Sequence, residues 1–310
     1  MKRTAEFDAF GPWIHQVRDP EDVPRLYRAH RIDLGRALLV LKVPRSLWRR
    51  DANPDMDLYD HLIVAGRDAL TVLSRRGSAF DVVELPYARM SAVQNSVALL
   101  DGRFVVRDVV GTGPGGVAIN VQYNGVSSDL IDQLVRLVRA AVFAMAPGGF
   151  TVMPPHLHES TLALRDLGDA DVALVAKLRD LATQNDRESV TIAATRRAPV
   201  KRRGGRLHQL RDSMWPMTLQ AAIVNTGPGE LQCVHRREWI TAKSRPTLSV
   251  AHTVVFTPHV TSVVVRDDPE YVGAQVVEIV SGRSVVGIAF PDGTDTGAAV
   301  KGSLGAMSST

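Results

Sequence analysis

The sequence has one cysteine, few aromatics and no long apolar run. A lone Cys233 excludes an internal disulfide and suits a reducing compartment. A membrane-crossing helix needs about eighteen or more uncharged apolar residues. The longest candidate, residues 140–152, is cut by Pro147, Gly148 and Gly149. The opening residues place no apolar core behind Lys2 and Arg3, so they do not read as a secretory signal. A cytoplasmic protein is expected, with peripheral attachment to a membrane as the variant. No G-x-S-x-G, P-loop or C-x-x-C occurs. The chain therefore reads as a binder and not an enzyme, with no cofactor, no metal and no small-molecule substrate inferred.

What is present is globular. The 310 residues are 45% hydrophobic and 23% charged, enough for two domains that each bury a core. The apolar run from Ala37 to Val43, stopped by Pro44, fits a buried strand. Residues 61–65 and 69–74 read as a hairpin turning at Gly66-Arg67-Asp68. Asp101-Gly102 is the expected tight turn of the next hairpin, and residues 117–122 alternate as a half-buried strand. Ser127 or Ser128 then caps a helix with Leu130, Leu134, Leu137, Val138 and Ala141 on one face. Seven strands and one helix are thus expected by residue 145. A second helical pattern spans 162–182, interrupted by Gly168, and a second β block runs over 219–290.

The two β blocks share order and punctuation. Ala222-Ile223-Val224, a turn and Leu231 to Arg236 parallel Leu62-Ile63-Val64, a turn and Ala69 to Arg75. Val254 to Pro258 followed by Thr261-Ser262-Val263 parallels Val83 to Pro86 followed by Met90 to Val93. The run Val277 to Val286 parallels Ala98 to Val106, which matches Ser281-Gly282 with Asp101-Gly102. The 62–74 hairpin, the run Val83-Glu84-Leu85-Pro86-Tyr87 and the 130–142 helix together resemble the bacterial pleckstrin-homology-like (PH-like) domains. That resemblance implies a mostly β (α+β) chain of two PH-like bent-sheet, partly open barrel modules in tandem repeat. One C-terminal helix closes the first module, and a helical linker joins the two. The divisions are residues 1–35, an N-terminal arm; 36–146, a PH-like module; 147–215, a linker with a helix and a basic segment; and 216–310, a second β module that lacks a closing helix and ends in a short flexible tail.

Several patterns imitate chemistry. Gly111-Thr112-Gly113-Pro114-Gly115-Gly116 has the letters of a dinucleotide loop, but a strand follows where a helix is required, so a long hairpin turn is expected. Asp51-x-Asn53-x-Asp55-x-Asp57 starts like a calcium loop but has Met56 and Leu62 where Gly and Glu belong. His156, His158 and Glu159 lie among prolines and read as a solvated stretch. Cys233 and His235 share a strand face and read as a buried thiol beside a satisfied histidine.

Two cationic clusters remain. Lys42, Arg45, Trp48, Arg49 and Arg50 occupy the loop that binds acidic headgroups in the resembled family, although Asp51, Asp55, Asp57 and Asp60 follow at once. Arg196, Arg197, Lys201, Arg202, Arg203 and Arg206 form a basic segment without interleaved aromatics on which bases could stack. The net charge of +4 is weak for a dedicated nucleic-acid binder. The expected function is a non-catalytic binding or scaffold protein that docks a protein partner or self-associates through sheet edges. An anionic lipid surface through the first cluster, and nucleic acid through the second, are the alternatives.

Overall fold

The computed structural model describes residues 4–145, 167–184, 189–204, 216–242 and 248–305. The chain is mostly β, and every strand pairing is antiparallel. The N-terminal arm opens with a short helix α1 (Ala5–Ala9) capped by Thr4. Strand β1 (His15–Gln16) then lies along β2 (Leu39–Pro44), and the sheet continues through β3 (Tyr59–Ala65), β4 (Ala69–Arg76) and β5 (Ala79–Pro86). The run before Pro44 is apolar throughout because both faces of β2 are covered. Leu39, Leu41 and Val43 meet the central core, while Val40 meets the arm through the cluster of Phe10, Val23 and Tyr27.

A short 3₁₀ turn, Tyr87–Arg89, redirects the chain into β6 (Met90–Ala98), β7 (Asp101–Asp108) and β8 (Val117–Asn124). Helix α2 (Ser128–Ala144) closes this half, burying Ile131, Leu134, Val135, Val138 and Val142. The buried stripe is rotated from the expected one, leaving Leu130, Leu137 and Ala141 at its margin. Ser127 does not cap the helix with its side chain. Its Oγ accepts the Ile14 amide at 3.0 Å and ties the arm to the helix start.

The tight turn also moves. Ala98 pairs with Asp101, so Leu99-Leu100 makes the turn, with Leu99 at φ 56°, and Asp101-Gly102 belong to β7. Gly102 serves packing instead: a Cβ there would stand 2.4 Å from the Tyr123 ring. The 111–116 glycines do form the long β7–β8 connection, as a hairpin loop and not a strand-to-helix turn.

The second half contributes α3 (Val172–Gln184), β9 (Val190–Thr195), β10 (Ala198–Arg202), β11 (Met217–Leu219), β12 (Ala222–Gly227), β13 (Glu230–His235), β14 (Ile240–Ala242) and β15 (Ser249–Phe256). Another 3₁₀ turn, Thr257–His259, leads to β16 (Ser262–Asp267), β17 (Tyr271–Val272), β18 (Ala274–Ser281), β19 (Ser284–Pro291) and helix α4 (Thr296–Gly305). A small sheet of order β14-β11-β10-β17 lies beside these. In each half, four strands, a 3₁₀ turn, three strands and a helix follow in the same succession (β2 to α2, and β9, β12, β13, β15 to α4).

Three expectations need correction. The second half does end in a closing helix. The glycines of α4 disguise it, since glycine disfavours helix, but Gly297 is required where a Cβ would lie 2.9 Å from Phe290, and Val300 and Leu304 are buried one turn apart. The stretch 147–215 is more than a linker, because β9 edges a large sheet and β10 pairs on both sides. The turn at Gly282 matches the β7–β8 connection and not the β6–β7 turn, since β18 and β19 stand where β7 and β8 stand in the first half. Residues 146–166, which carry His156, His158, Glu159 and the start of the second helical pattern, lie outside the described residues, as do Arg206 and the 306–310 tail.

The halves share one sheet. Its order is β8-β7-β6-β15-β13-β12-β9, so β6 of the first half pairs directly with β15 of the second, Val93 opposite Val254 and Asn95 opposite His252. Among the described residues no sheet closes into a barrel, and no helix is long and apolar enough to cross a membrane.

Candidate functional site

On β13 Glu230 and Gln232 alternate with Leu231 and Cys233, as on a strand with one wet face, and His252 of the adjacent β15 lies on the same side. Here that face meets α2 and α3. Arg139 of α2 grips Glu230 with two guanidinium nitrogens, Nε at 2.9 Å, and both side chains are almost fully buried. Gln232 Nε2 donates to Glu230 at 2.7 Å, which turns its carbonyl oxygen to accept from His252 Nε2 at 3.0 Å. Beside this chain Asp132 accepts from Asn95 at 2.9 Å and from Lys177 of α3 at 2.6 Å, and Tyr123 donates to Asn95 at 2.5 Å. Arg237 reaches from the second half to the Ser96 carbonyl at 2.9 Å and to Asp101 at 2.5 Å. A buried polar seam therefore runs along the joint between the halves. The low-dielectric setting of Arg139 and Glu230 makes that pair the costliest of these to break.

Burial governs protonation here. Burial, reinforced by the charges of Arg139, Lys177 and His235, lowers the His252 pKa well below the usual imidazole value. His235 is pushed down to about 4, by burial first. Its Nδ1 donates to the Arg236 carbonyl at 2.6 Å and its Nε2 accepts from Thr253 at 2.9 Å, with Trp239 stacked on the ring at 4.2 Å. The Cys233 thiol is buried and its pKa is pushed up. A protonated thiol and a histidine with both nitrogens engaged cannot act as nucleophile and base.

The first cationic cluster mostly holds the arm. Lys42 is buried, donates to the Asp22 carbonyl at 3.0 Å and lies over the Tyr59 ring. Arg45 donates to the Asp57 carbonyl at 3.1 Å. Arg49 bonds the Phe10 carbonyl and covers the Phe7 ring. The neighbouring polar loop is clamped by Arg25, whose Nε donates to Asp57 at 2.9 Å. Trp48, 73% exposed, and Arg50 beside it face solvent.

The second cluster lies on or next to paired strands. Arg197 pairs with Asp171 at 2.8 Å, and Arg236 bonds the same fully buried carboxylate at 2.9 Å. Arg203 donates to the Asp268 carbonyl at 2.8 Å, and Arg202 contacts Met217. Arg196 is exposed and also has an interaction partner. Lys201 projects from β10 into solvent.

An open concavity of about 310 Å³ lies between residues 30–37 and the β3–β4 turn. Its charged lining has both signs: Arg31, Arg36 and Arg67 with Asp33, Asp68 and Glu84. Neither this concavity nor the polar seam has a local signature in the sequence.

Of the strands at sheet edges, β5 and β16 carry adjacent exposed valines. Among the described residues β5 pairs only with β4, and β16 only with β18. Each presents a free backbone edge carrying adjacent valines: Val82 at 43% and Val83 at 37% exposure, Val264 at 46% and Val265 at 37%. Natural sheets usually protect such edges, because unpaired amides and carbonyls template pairing. No family model, curated protein or solved structure matches this chain.

Proposed function

We propose that this chain is a non-catalytic docking protein, a tandem of two PH-like modules that takes up partner strands along its exposed sheet edges. The repeated succession of four strands, three strands and a helix supports the PH-like reading. The observation that carries the docking reading is the pair of valine-bearing open edges, β5 and β16. Strand addition draws affinity from main-chain hydrogen bonds and specificity from alternate side chains. The buried ionisable groups act as structure: Asp171 ties Arg197 and Arg236, Glu230 ties Arg139, and His235 is satisfied at both nitrogens. A lipid-binding role would rest on Trp48 and Arg50, since Lys42, Arg45 and Arg49 are engaged with the arm and its loop.

The test is affinity capture from cells that express the gene, comparing wild type with Val83→Lys, Val264→Lys and Trp48→Ala/Arg50→Ala chains, each bound protein being identified by mass. A specific protein, another copy of this chain included, should be retained by wild type and by the Trp48/Arg50 variant. At least tenfold of it should be lost when the relevant edge carries lysine. Identical capture by all four chains would refute edge docking. Loss only in the Trp48/Arg50 variant would move the site to that loop.

A further inference from the structure

The internal joint has a direction, and it leaves two complementary strand edges unpaired among the described residues. Counting from each 3₁₀ turn, Tyr87 corresponds to Thr257, so β5 corresponds to β15 and β6 to β16. Inside the chain, the strand after the turn in one module (β6) pairs with the strand before the turn in the next (β15). Of the four strands that flank the two turns, β5, before the turn in the first module, and β16, after the turn in the second, keep an unpaired side among the described residues. These are the same two kinds of edge that the joint brings together.

The register can be carried over. Val93 opposite Val254, Gln94 opposite Thr253, Asn95 opposite His252 and Ser96 opposite Ala251 define the internal pairing. The same positions on the free edges set Val263 against Glu84, Val264 against Val83, Val265 against Val82 and Arg266 against Asp81. The four exposed valines meet in two cross-strand pairs, and an opposite-charge pair follows them. Asp267 falls opposite Phe80, so no like charges face each other. Cross-strand valines and opposite charges are stabilising pairs in antiparallel sheets. Among the described residues Arg266 pairs with half-buried Glu278 and Asp81 with exposed Arg76, surface ion pairs of the kind that contribute little and can be exchanged.

We infer, resting on the docking reading above, that the partner at these edges is a second copy of this chain: β16 of one copy adds antiparallel to β5 of the next, in the register of the internal joint. The contact is heterologous and repeats from copy to copy, so assembly grows head to tail into a ring or a filament. It lacks the buried ion pair of the internal joint, because Ala69, which precedes Leu70 on β4 as Glu230 precedes Leu231 on β13, carries no charge. The contact between copies therefore rests on strand pairing and is weaker than the joint within a chain, so assembly rises with concentration.

Sedimentation velocity on purified protein from micromolar to millimolar concentration tests this. The wild-type mass should climb from one chain, 33.7 kDa, through multiples of it. Val83→Lys and Val264→Lys should each stay at one chain, since each lacks one of the two edges. An equimolar mixture of these two should form a two-chain species and nothing larger, because each supplies the edge the other lost. Asp81→Arg should weaken wild-type growth, and adding Arg266→Asp to the same chain should restore it. Both valines are exposed, so an unchanged melting curve for the lysine variants is the folding control. A wild type that stays at one chain throughout, or a mixture that does not pair, overturns self-assembly. Edge-dependent capture of a different protein would then leave the docking reading standing.

Discussion

Arg139→Ala should destabilise the chain by about 3–5 kcal/mol, the usual consequence of removing one partner from a buried ion pair. The Glu230 carboxylate would remain inside, among Gln232 and His252, without the guanidinium that faces it on two nitrogens. Arg139 sits on α2 and Glu230 on β13, so the loss falls on the joint between the halves. Urea unfolding should change from one transition to two as the halves uncouple, or shift its midpoint strongly downward. Replacing both residues with methionine should cost less than the alanine variant, since no buried charge is left behind. An Arg139→Ala midpoint within about 0.5 kcal/mol of wild type, the range of ordinary surface substitutions, would show that the pair does not hold the halves together.

Acid should weaken the fold from about pH 6.5 downward. Unfolded histidine takes up its proton near 6.5. In the folded chain His235 does so only at about 4, and His252 is also held well below its usual value. Across that window the unfolded state binds more protons, so stability is complete above 6.5 and falls as pH drops toward the folded values. Each ring contributes up to about 1.4 kcal/mol per pH unit. His15, His61 and His259 are lowered in the same direction by burial. Thermal melts between pH 7.5 and 4.5 should show a steady fall, and His252→Asn should flatten it. A melting temperature unchanged down to pH 5 would contradict neutral buried rings.

The elements that were legible in the sequence are those whose pattern is local. The apolar run of β2 and the 61–74 hairpin carry their own periodicity, as α2 does apart from its rotated stripe. The shared passage from a strand into a 3₁₀ turn was readable in part, because Val83 to Pro86 and Val254 to Pro258 run into their turns alike. The joint was not, since β6 and β15 each look like an ordinary buried strand and nothing local says which neighbour they take. Glu230, Gln232 and His252 resemble a solvated strand face, and their burial depends on helices from both halves. Gly102 and Gly297 misled for one reason: each is glycine because a ring packs against it, Tyr123 or Phe290, and neither marks a turn or a helix stop. The arginine clusters were visible as charge, but charge does not reveal that Arg49 caps the Phe10 carbonyl or that Arg197 serves Asp171. The open edges appear only once the strand order is known.

Among the described residues β5 and β16 are open edges while their counterparts β15 and β6 are joined. Amide hydrogen exchange on dilute protein, read strand by strand, tests it most directly. Alternate amides of β5 and β16 should exchange rapidly while β6 and β15 stay protected, and raising the concentration should slow both open edges together. Equal, slow exchange across all four strands in the dilute protein would mean that the edges are already covered, and the docking account would fail.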